Sequence, residues 1–378
     1  MLHTLVSFLT ALTNLSTEGR IFYEKLPGST DIKLSYLLLS PTHAFSSIAS
    51  AARAVILAGG TMSPFDDYKI HLFPTMKPDK ITTISCGHVI PASNLCVWTL
   101  ASTRAIAGSV PSSDDTFEFS FQKRSDKAMV RQLGLALLNI CSVVPDGVVV
   151  FFPSYGYLDE VVRMWQLPGI STSGDSQPLW DRLQTKKKLF RETKGGSSES
   201  VLEDYSNAIL SGDSASQKKP AGALLLSVVG GKMSEGINFS DRLGRCVVII
   251  GLPYPNINSP EWKARIEYIE SSTIARLTDS SGAKPLSAAE AMPLAKQAAR
   301  DFYENACMRA VNQSIGRAIR HRNDYAAIVL VDRRFGTERI KAKLPGWIRG
   351  GIVEGSEGRG LQGLMGTLNG FFRGKRGT

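Results

Sequence analysis

Cysteine is scarce and badly placed for chemistry. The 378 residues hold five, Cys86, Cys96, Cys141, Cys246 and Cys307, with no C-x-x-C pair among them. That excludes a disulfide framework and a zinc site built on such pairs, and leaves reduced, mostly buried thiols of an intracellular protein. The five histidines are equally dispersed, so no metal site made of protein ligands is expected. No run approaches about 18 consecutive apolar residues, the least that a membrane span needs. The N-terminal Met1-Leu2-His3-Thr4-Leu5-Val6-Ser7-Phe8-Leu9 lacks a positively charged n-region, and no small-residue cleavage pattern follows it. An amphipathic helix is the better reading than a secretory signal. No internal repeat is visible.

What is present is an ordinary globular balance, 43% hydrophobic and 21% charged, in a chain long enough for one large domain or two smaller ones. The net charge of +10 suits a polyanionic partner. Nucleic acid comes before membrane, because no amphipathic basic helix stands out.

Five apolar runs read as strands buried on both faces: 54–58, 148–152, 224–229, 246–250 and 327–331. Continuous β-branched runs of this kind are what a parallel sheet covered by helices requires. Helical patterns lie between them, clearest at 126–143, 158–166 and 300–321. The fold expected is therefore α/β, a parallel sheet with helices on both faces. Function in such sheets gathers at the carboxyl ends of strands. Those ends here are Gly59-Gly60-Thr61-Met62-Ser63-Pro64, Pro153-Ser154-Tyr155-Gly156, Gly230-Gly231-Lys232, Gly251-Leu252-Pro253 and Asp332-Arg333-Arg334. Stretches near 169–220 and 273–293 read as insertions, and 351–378 as a flexible, basic, Gly-rich tail.

The sharpest chemical signal is Gln313-Ser314-Ile315-Gly316-Arg317-Ala318-Ile319-Arg320. On a helix, Gln313, Arg317 and Arg320 stand at i, i+4 and i+7 and share one face over about 10 Å. Val311, Ile315, Ala318 and Ile319 take the opposite face. Two neighbouring guanidiniums repel unless an anion lies between them, and a triphosphate suits their planar forks. Taken alone, the helix is equally well explained as a solvated basic face. The second signal, Gly230-Gly231-Lys232-Met233-Ser234-Glu235-Gly236-Ile237-Asn238-Phe239, follows a buried strand directly. Paired glycines there let backbone amides approach a phosphate closely, or simply make a turn. The spacing G-x-x-x-x-G-K-[ST] of a Walker A loop fails, and Met233 stands where a magnesium-binding hydroxyl would be.

In this order the segments resemble the superfamily-2 helicases of the iron–sulfur, XPD-like group. Gly59 to Pro64 resembles motif III, Val149-Val150-Phe151-Phe152-Pro153-Ser154-Tyr155 motif IV, Gly231 to Phe239 motif V, and Gln313 to Arg320 motif VI. Ser85-Cys86-Gly87-His88-Val89-Ile90-Pro91, Phe119-Ser120-Phe121-Gln122-Lys123-Arg124 and Lys343-Leu344-Pro345-Gly346-Trp347-Ile348-Arg349 are similar to the chromosome-loss subfamily, linked to sister-chromatid cohesion.

The resemblance implies a RecA-like second motor domain over 66–350. Residues 1–65 would be a remnant of the first, including an orphan helix and strand. It makes Arg317 and Arg320 arginine-finger candidates, with Gln313 orienting water or the γ-phosphate. Gly231, Glu235, Gly236 and Asn238 would line the nucleotide cleft, and Ser154, Tyr155 and Lys232 would meet single-stranded DNA. The family more often has Asp where Asn238 stands. Ser154 as a helix cap, Tyr155 as packing and Lys232 as a solvated charge are the plainer alternatives.

No Walker A loop, DEAH-type box or four-cysteine set occurs, since Asp159-Glu160 is followed by Val161-Val162. ATP with magnesium and the iron–sulfur cluster therefore belong, by resemblance, to the complete motor, and this chain alone is expected not to hydrolyse ATP. Its implied partners are single-stranded or forked DNA, the first motor domain, and cohesion and replication factors, in the nucleus. A non-catalytic DNA-binding or interaction module derived from such a helicase is the alternative.

Overall fold

A computed structural model describes residues 2–13, 19–25, 28, 30–74, 76–87, 89–105, 115–168, 177–211, 222–236, 238–279, 285–317 and 319–375. The chain opens with α1 (Leu2–Ala11), β1 (Gly19–Lys25), β2 (Ile32–Leu38), α2 (Thr42–Ala51) and α3 (Asp66–Leu72). Then follow β3 (Leu95–Leu100), α4 (Lys127–Val143), β4 (Gly147–Phe152), α5 (Tyr155–Gln166), α6 (Leu179–Gln184), β5 (Lys188–Arg191), α7 (Ser198–Leu210) and β6 (Ala223–Val228). The remainder is α8 (Lys232–Gly236), β7 (Cys246–Ile250), α9 (Pro260–Thr278), α10 (Ala288–Ile315), β8 (Ala326–Val331), α11 (Glu338–Lys341), α12 (Gly346–Arg349) and α13 (Gly360–Lys375). No helix among the described residues is long and apolar enough to cross a membrane.

Two compact units emerge. One combines residues 1–84 with 254–307, the other 85–253 with 308–378. These bounds differ from a division at residues 65 and 350, because the helical stretch 254–307 groups with the N-terminal segment.

The larger unit holds a six-stranded sheet in the order β3-β8-β7-β4-β6-β5, parallel throughout. Every residue of β3, β4, β6, β7 and β8 is buried, so four of the five apolar runs, those starting at 148, 224, 246 and 327, do fall in a doubly covered sheet. Alternate strand residues such as Val148, Val150 and Phe152 pack against α4, α5 and α13. Phe151 faces the other way, edge-on to Phe239 at 6.2 Å, and Tyr205 of α7 meets Phe239 at 6.4 Å. Helix α4 starts where Asp126 accepts from the Met129 amide at 2.8 Å, a cap the residue type supplies.

The structure corrects several expectations. The run 54–58 forms no strand. A strand needs a neighbour for its backbone groups, and lacking one the run stays unpaired, with Ile56 90% exposed. The supposed insertion near 169–220 supplies, in its described part, α6, the edge strand β5 and α7. The described residues of 273–293 continue α9 and α10. The Gly-rich tail is not flexible over its described part: α13 buries Leu364, Leu368 and Phe372, whose helical spacing outweighs the glycine content. Strands β3 and β5 and the β1–β2 hairpin were not anticipated.

The smaller unit contains the antiparallel hairpin, registered Gly19 to Leu38 and Lys25 to Ile32. Helix α1 buries no residue. Phe45 of α2 meets Phe73 edge-on at 5.7 Å, and Thr42 Oγ1 donates to the His71 carbonyl at 2.6 Å. Helix α9, capped by Ser259, sets Trp262 against Phe302 and Tyr303 of α10, and Asn305 donates to Asp67 at 2.8 Å. Gly59 to Pro64 lies in this unit, outside any helix or strand.

Candidate functional site

Three strand ends of the larger unit converge on one buried acid. Glu192, just past β5, is 2% exposed. Its Oε2 accepts from Ser227 Oγ at 2.6 Å and from the Val228 amide at 3.2 Å. Its Oε1 accepts from Tyr155 Oη at 2.7 Å and the Met233 amide at 3.4 Å. The carboxylate thus joins the end of β4, the end of β6 and the first turn of α8. Burial, and then the bond to Glu192, push the Tyr155 phenol up to about 12.

This cluster explains the paired glycines. Gly230 turns the chain with φ +71°. A Cβ on Gly231 would stand 2.7 Å from Glu192 Oε1 and 2.8 Å from Tyr155 Oη. Gly231 is therefore required by the close approach of protein groups. Ser154 caps α5, its Oγ accepting from the Tyr157 amide at 3.2 Å. Lys232 is exposed. Glu235 and Gly236 belong to α8, and their side chains, like Ile237 altogether, lie outside the described residues.

The basic segment is not one helix. Helix α10 ends at Ile315, with the Gly316 amide donating to the Asn312 carbonyl at 3.0 Å. Arg317 and Arg320 lie beyond it, so the shared helical face with Gln313 is corrected. Glycine at 316 and competing bonds from the preceding loop account for the ending. Phe239 donates its amide to the Arg317 carbonyl at 3.0 Å, and Arg317 Nε donates to the Ser234 carbonyl at 3.1 Å. Arg320 Nη2 donates to Asn238 Oδ1. A neutral residue at 238 thus serves as acceptor for the second arginine. Val311, Ile315 and Ile319 are buried as expected, while Ala318 lies outside the described residues. Gln313 is exposed on the last turn of α10.

A second buried acid fixes this half. Asp324, 1% exposed, accepts from Arg245 Nη1 at 3.1 Å, the Tyr325 amide at 2.8 Å, the Asp241 amide at 3.3 Å and the Arg320 amide at 3.4 Å. Arg245 lies 3.8 Å from the centre of the Tyr325 ring. Asp324 also gathers with Asp241 and His321 in a group of metal-ligand type, but its oxygens are taken up by Arg245 and the three amides. Neither Glu192 nor Asp324 was singled out from sequence. An acid directly after the Leu189-Phe190 run, and one directly before β8, were the available signals.

The helicase C-terminal domain family matches residues 137–351, more than half of the chain. The chain belongs to that family. It is similar to ATP-dependent DNA helicases named chl1. It is 56% identical to the ATP-dependent DNA helicase chl1 of Neurospora crassa, over 99% of this chain and 39% of the relative. To the protein of the same name from Neosartorya fischeri it is 47% identical, over 98% of this chain and 40% of the relative. The chain thus spans about two-fifths of the length of these relatives. Among solved structures, an XPD helicase shares the fold at a TM-score of 0.51 and 19% identity, covering 90% of this chain and 48% of that one.

An iron–sulfur cluster does not fit the cysteines of this helicase domain. Cys96, Cys141 and Cys246 are buried in the sheet core. Burial pushes the Cys96 thiol up to about 11 and the Cys141 thiol up to about 12. A cluster needs thiolates gathered at one place, and these are protonated core side chains.

Proposed function

We propose that the chain acts as the C-terminal motor half of an ATP-dependent DNA helicase serving chromosome transmission and sister-chromatid cohesion in the nucleus. The observation that carries this reading is the lacing of Arg317 and Arg320 onto the Ser234–Phe239 loop. Each guanidinium is held by one oxygen of that loop, Ser234 O or Asn238 Oδ1, with the exposed Gln313 amide four residues before Arg317. Charged forks oriented in advance suit the developing charge of a transferring phosphoryl group. ATP with magnesium, held by the rest of the motor, supplies that group. Arg317 and Arg320 neutralise it, Gln313 orients water, and Gly231, Glu235, Gly236 and Asn238 shape the loop between nucleotide and DNA. Ser154, Tyr155 and Lys232 sit at the strand ends where single-stranded DNA would run, Tyr155 as a fixed ring and Lys232 as an exposed cation.

The test is DNA-stimulated ATP turnover, for this chain alone and joined to the remainder of the Neurospora relative. The chain alone should show none. The joined motor should turn over and lose about 10³-fold or more in Arg320→Ala, with DNA affinity kept. Turnover by the chain alone that tracks Arg320 would overturn the reading. DNA binding without turnover in the joined protein would favour the non-catalytic module.

A further inference from the structure

We propose that Phe121 and Arg124 form a ledge on which an unpaired base of single-stranded nucleic acid stacks. The ledge extends the strand-end DNA reading above and rests on it. Phe119, two residues earlier, is anchored. Its amide donates to Asp332 Oδ2 at 2.9 Å, and its ring stacks on Phe117 at 6.0 Å. Its Cβ fills the space that a side chain at Gly251 would need, 2.7 Å away. The turn that follows is also fixed. The Lys123 and Arg124 amides donate to the Ser120 carbonyl at 3.0 and 2.8 Å, and Tyr157 Oη donates to the Arg124 carbonyl at 2.8 Å.

From this rigid turn the Phe121 ring projects 83% exposed. The Arg124 guanidinium lies 4.9 Å from its centre and 5.6 Å from that of Tyr157. An aromatic ring and a guanidinium plane held together make a stacking surface that accepts any base.

The surroundings decide the occupant. Gln122, Lys123 and Lys127, which follow it closely in sequence, are exposed, so the chain running on from the ring is polar and charged rather than the apolar patch of a protein-docking face. The local charge is positive. Lys123 and Arg333 share one acid, Glu118, at 3.1 and 2.6 Å, and Lys127 adds to them. A polyanion with exposed rings matches cations around an exposed ring. A duplex hides its base faces, so the strand is single. Tyr157, which holds the ledge through its ring and hydroxyl, lies in the first turn of α5, the helix that Tyr155 begins.

The experiment measures fluorescence anisotropy of labelled oligothymidylate of about 12 nucleotides, a length suited to one such groove, and of an abasic strand with the same backbone. Phe121→Ala should weaken oligothymidylate binding about tenfold, the worth of one stacked base. The slope of affinity against salt should stay unchanged. Phe121→Trp should retain affinity, and the abasic strand should not distinguish Phe121→Ala from the original chain. Unchanged melting of Phe121→Ala shows that the fold is kept. Equal affinity of Phe121→Ala and the original chain, or an equal loss on the abasic strand, overturns the ledge alone. Absence of oligonucleotide binding by the original chain overturns the ledge and the DNA reading together.

Discussion

Glu192 and Asp324 do the same job with different chemistry. Both are almost sealed from water, and each ties one end of the loop from Gly231 to Asp241 to the frame of the sheet. Among the described residues, Glu192 receives only neutral donors: two hydroxyls and two backbone amides. Asp324 receives three amides and a guanidinium, Arg245, itself only 7% exposed. A carboxylate satisfied by neutral dipoles positions its neighbours without obliging a second charge to be buried. A paired one fixes the loop and also makes each partner hostage to the other. The loop that carries Ser234 and Asn238 is thus clamped softly where it leaves β6 and hard where it approaches β7.

The largest effect should come from breaking the hard clamp. Asp324→Ala leaves Arg245 charged, buried and without that partner, and should cost about 3–5 kcal/mol of unfolding free energy in denaturant titration. Glu192→Gln comes next. The amide keeps one oxygen for two of the four donors and turns its own N–H groups toward the rest, so about 1–3 kcal/mol should be lost. If Glu192→Gln costs more than Asp324→Ala, the neutral clamp is the stiffer of the two and the comparison reverses.

Much of the frame was legible in the sequence because β4, β6, β7 and β8 are central strands, and burial on both faces leaves an unbroken apolar run. Strand β3, Leu95-Cys96-Val97-Trp98-Thr99-Leu100, is equally buried but carries Cys, Trp and Thr, which dilute that signal. The edge strand β5 is short, with Lys and Arg at its ends, and edge strands are charged for good reason. The run 54–58 had the strand composition without the neighbours that make a strand. At the site, the residue types at 313, 317 and 320 were readable, but the helix joining them was not. Gly316 ends it, and the acceptors that draw Arg317 and Arg320 away come from a loop some eighty residues earlier. Separation along the chain also hid Glu192, whose donors lie 35 to 41 residues away, and Asp324, 79 residues from Arg245. A buried acid is visible only once its donors, scattered along the chain, are brought together. Gly231 was noticed for its freedom to approach phosphate, and the groups it approaches are Glu192 and Tyr155.

The softer clamp has a pH signature. Burial and the bond to Glu192 hold the Tyr155 phenol at about 12, against about 10 in an unfolded chain. Protonated phenol is thus favoured by folding. The stability it contributes is complete below pH 10 and is lost as pH rises toward 12. Tyr155→Phe should remove that part of the alkaline decline, read as unfolding free energy against pH for the two proteins. Superimposable slopes between pH 10 and 12 would mean that the phenol is not held by Glu192 in solution.

The smallest effect tests whether the hard clamp is one ion pair or a larger unit. His321 Nε2 lies 2.9 Å from Asp241 Oδ1, next to Asp324, but with side chains 49% and 54% exposed. An exposed pair competes with water and contributes at most about 1 kcal/mol. His321→Ala should therefore barely shift the denaturation midpoint, whereas Asp324→Ala shifts it strongly. A loss in His321→Ala that approaches that of Asp324→Ala would show that Asp241, His321, Arg320 and Asp324 hold or fail together. The clamp would then belong to the whole turn between α10 and β8 rather than to the buried pair of Arg245 and Asp324.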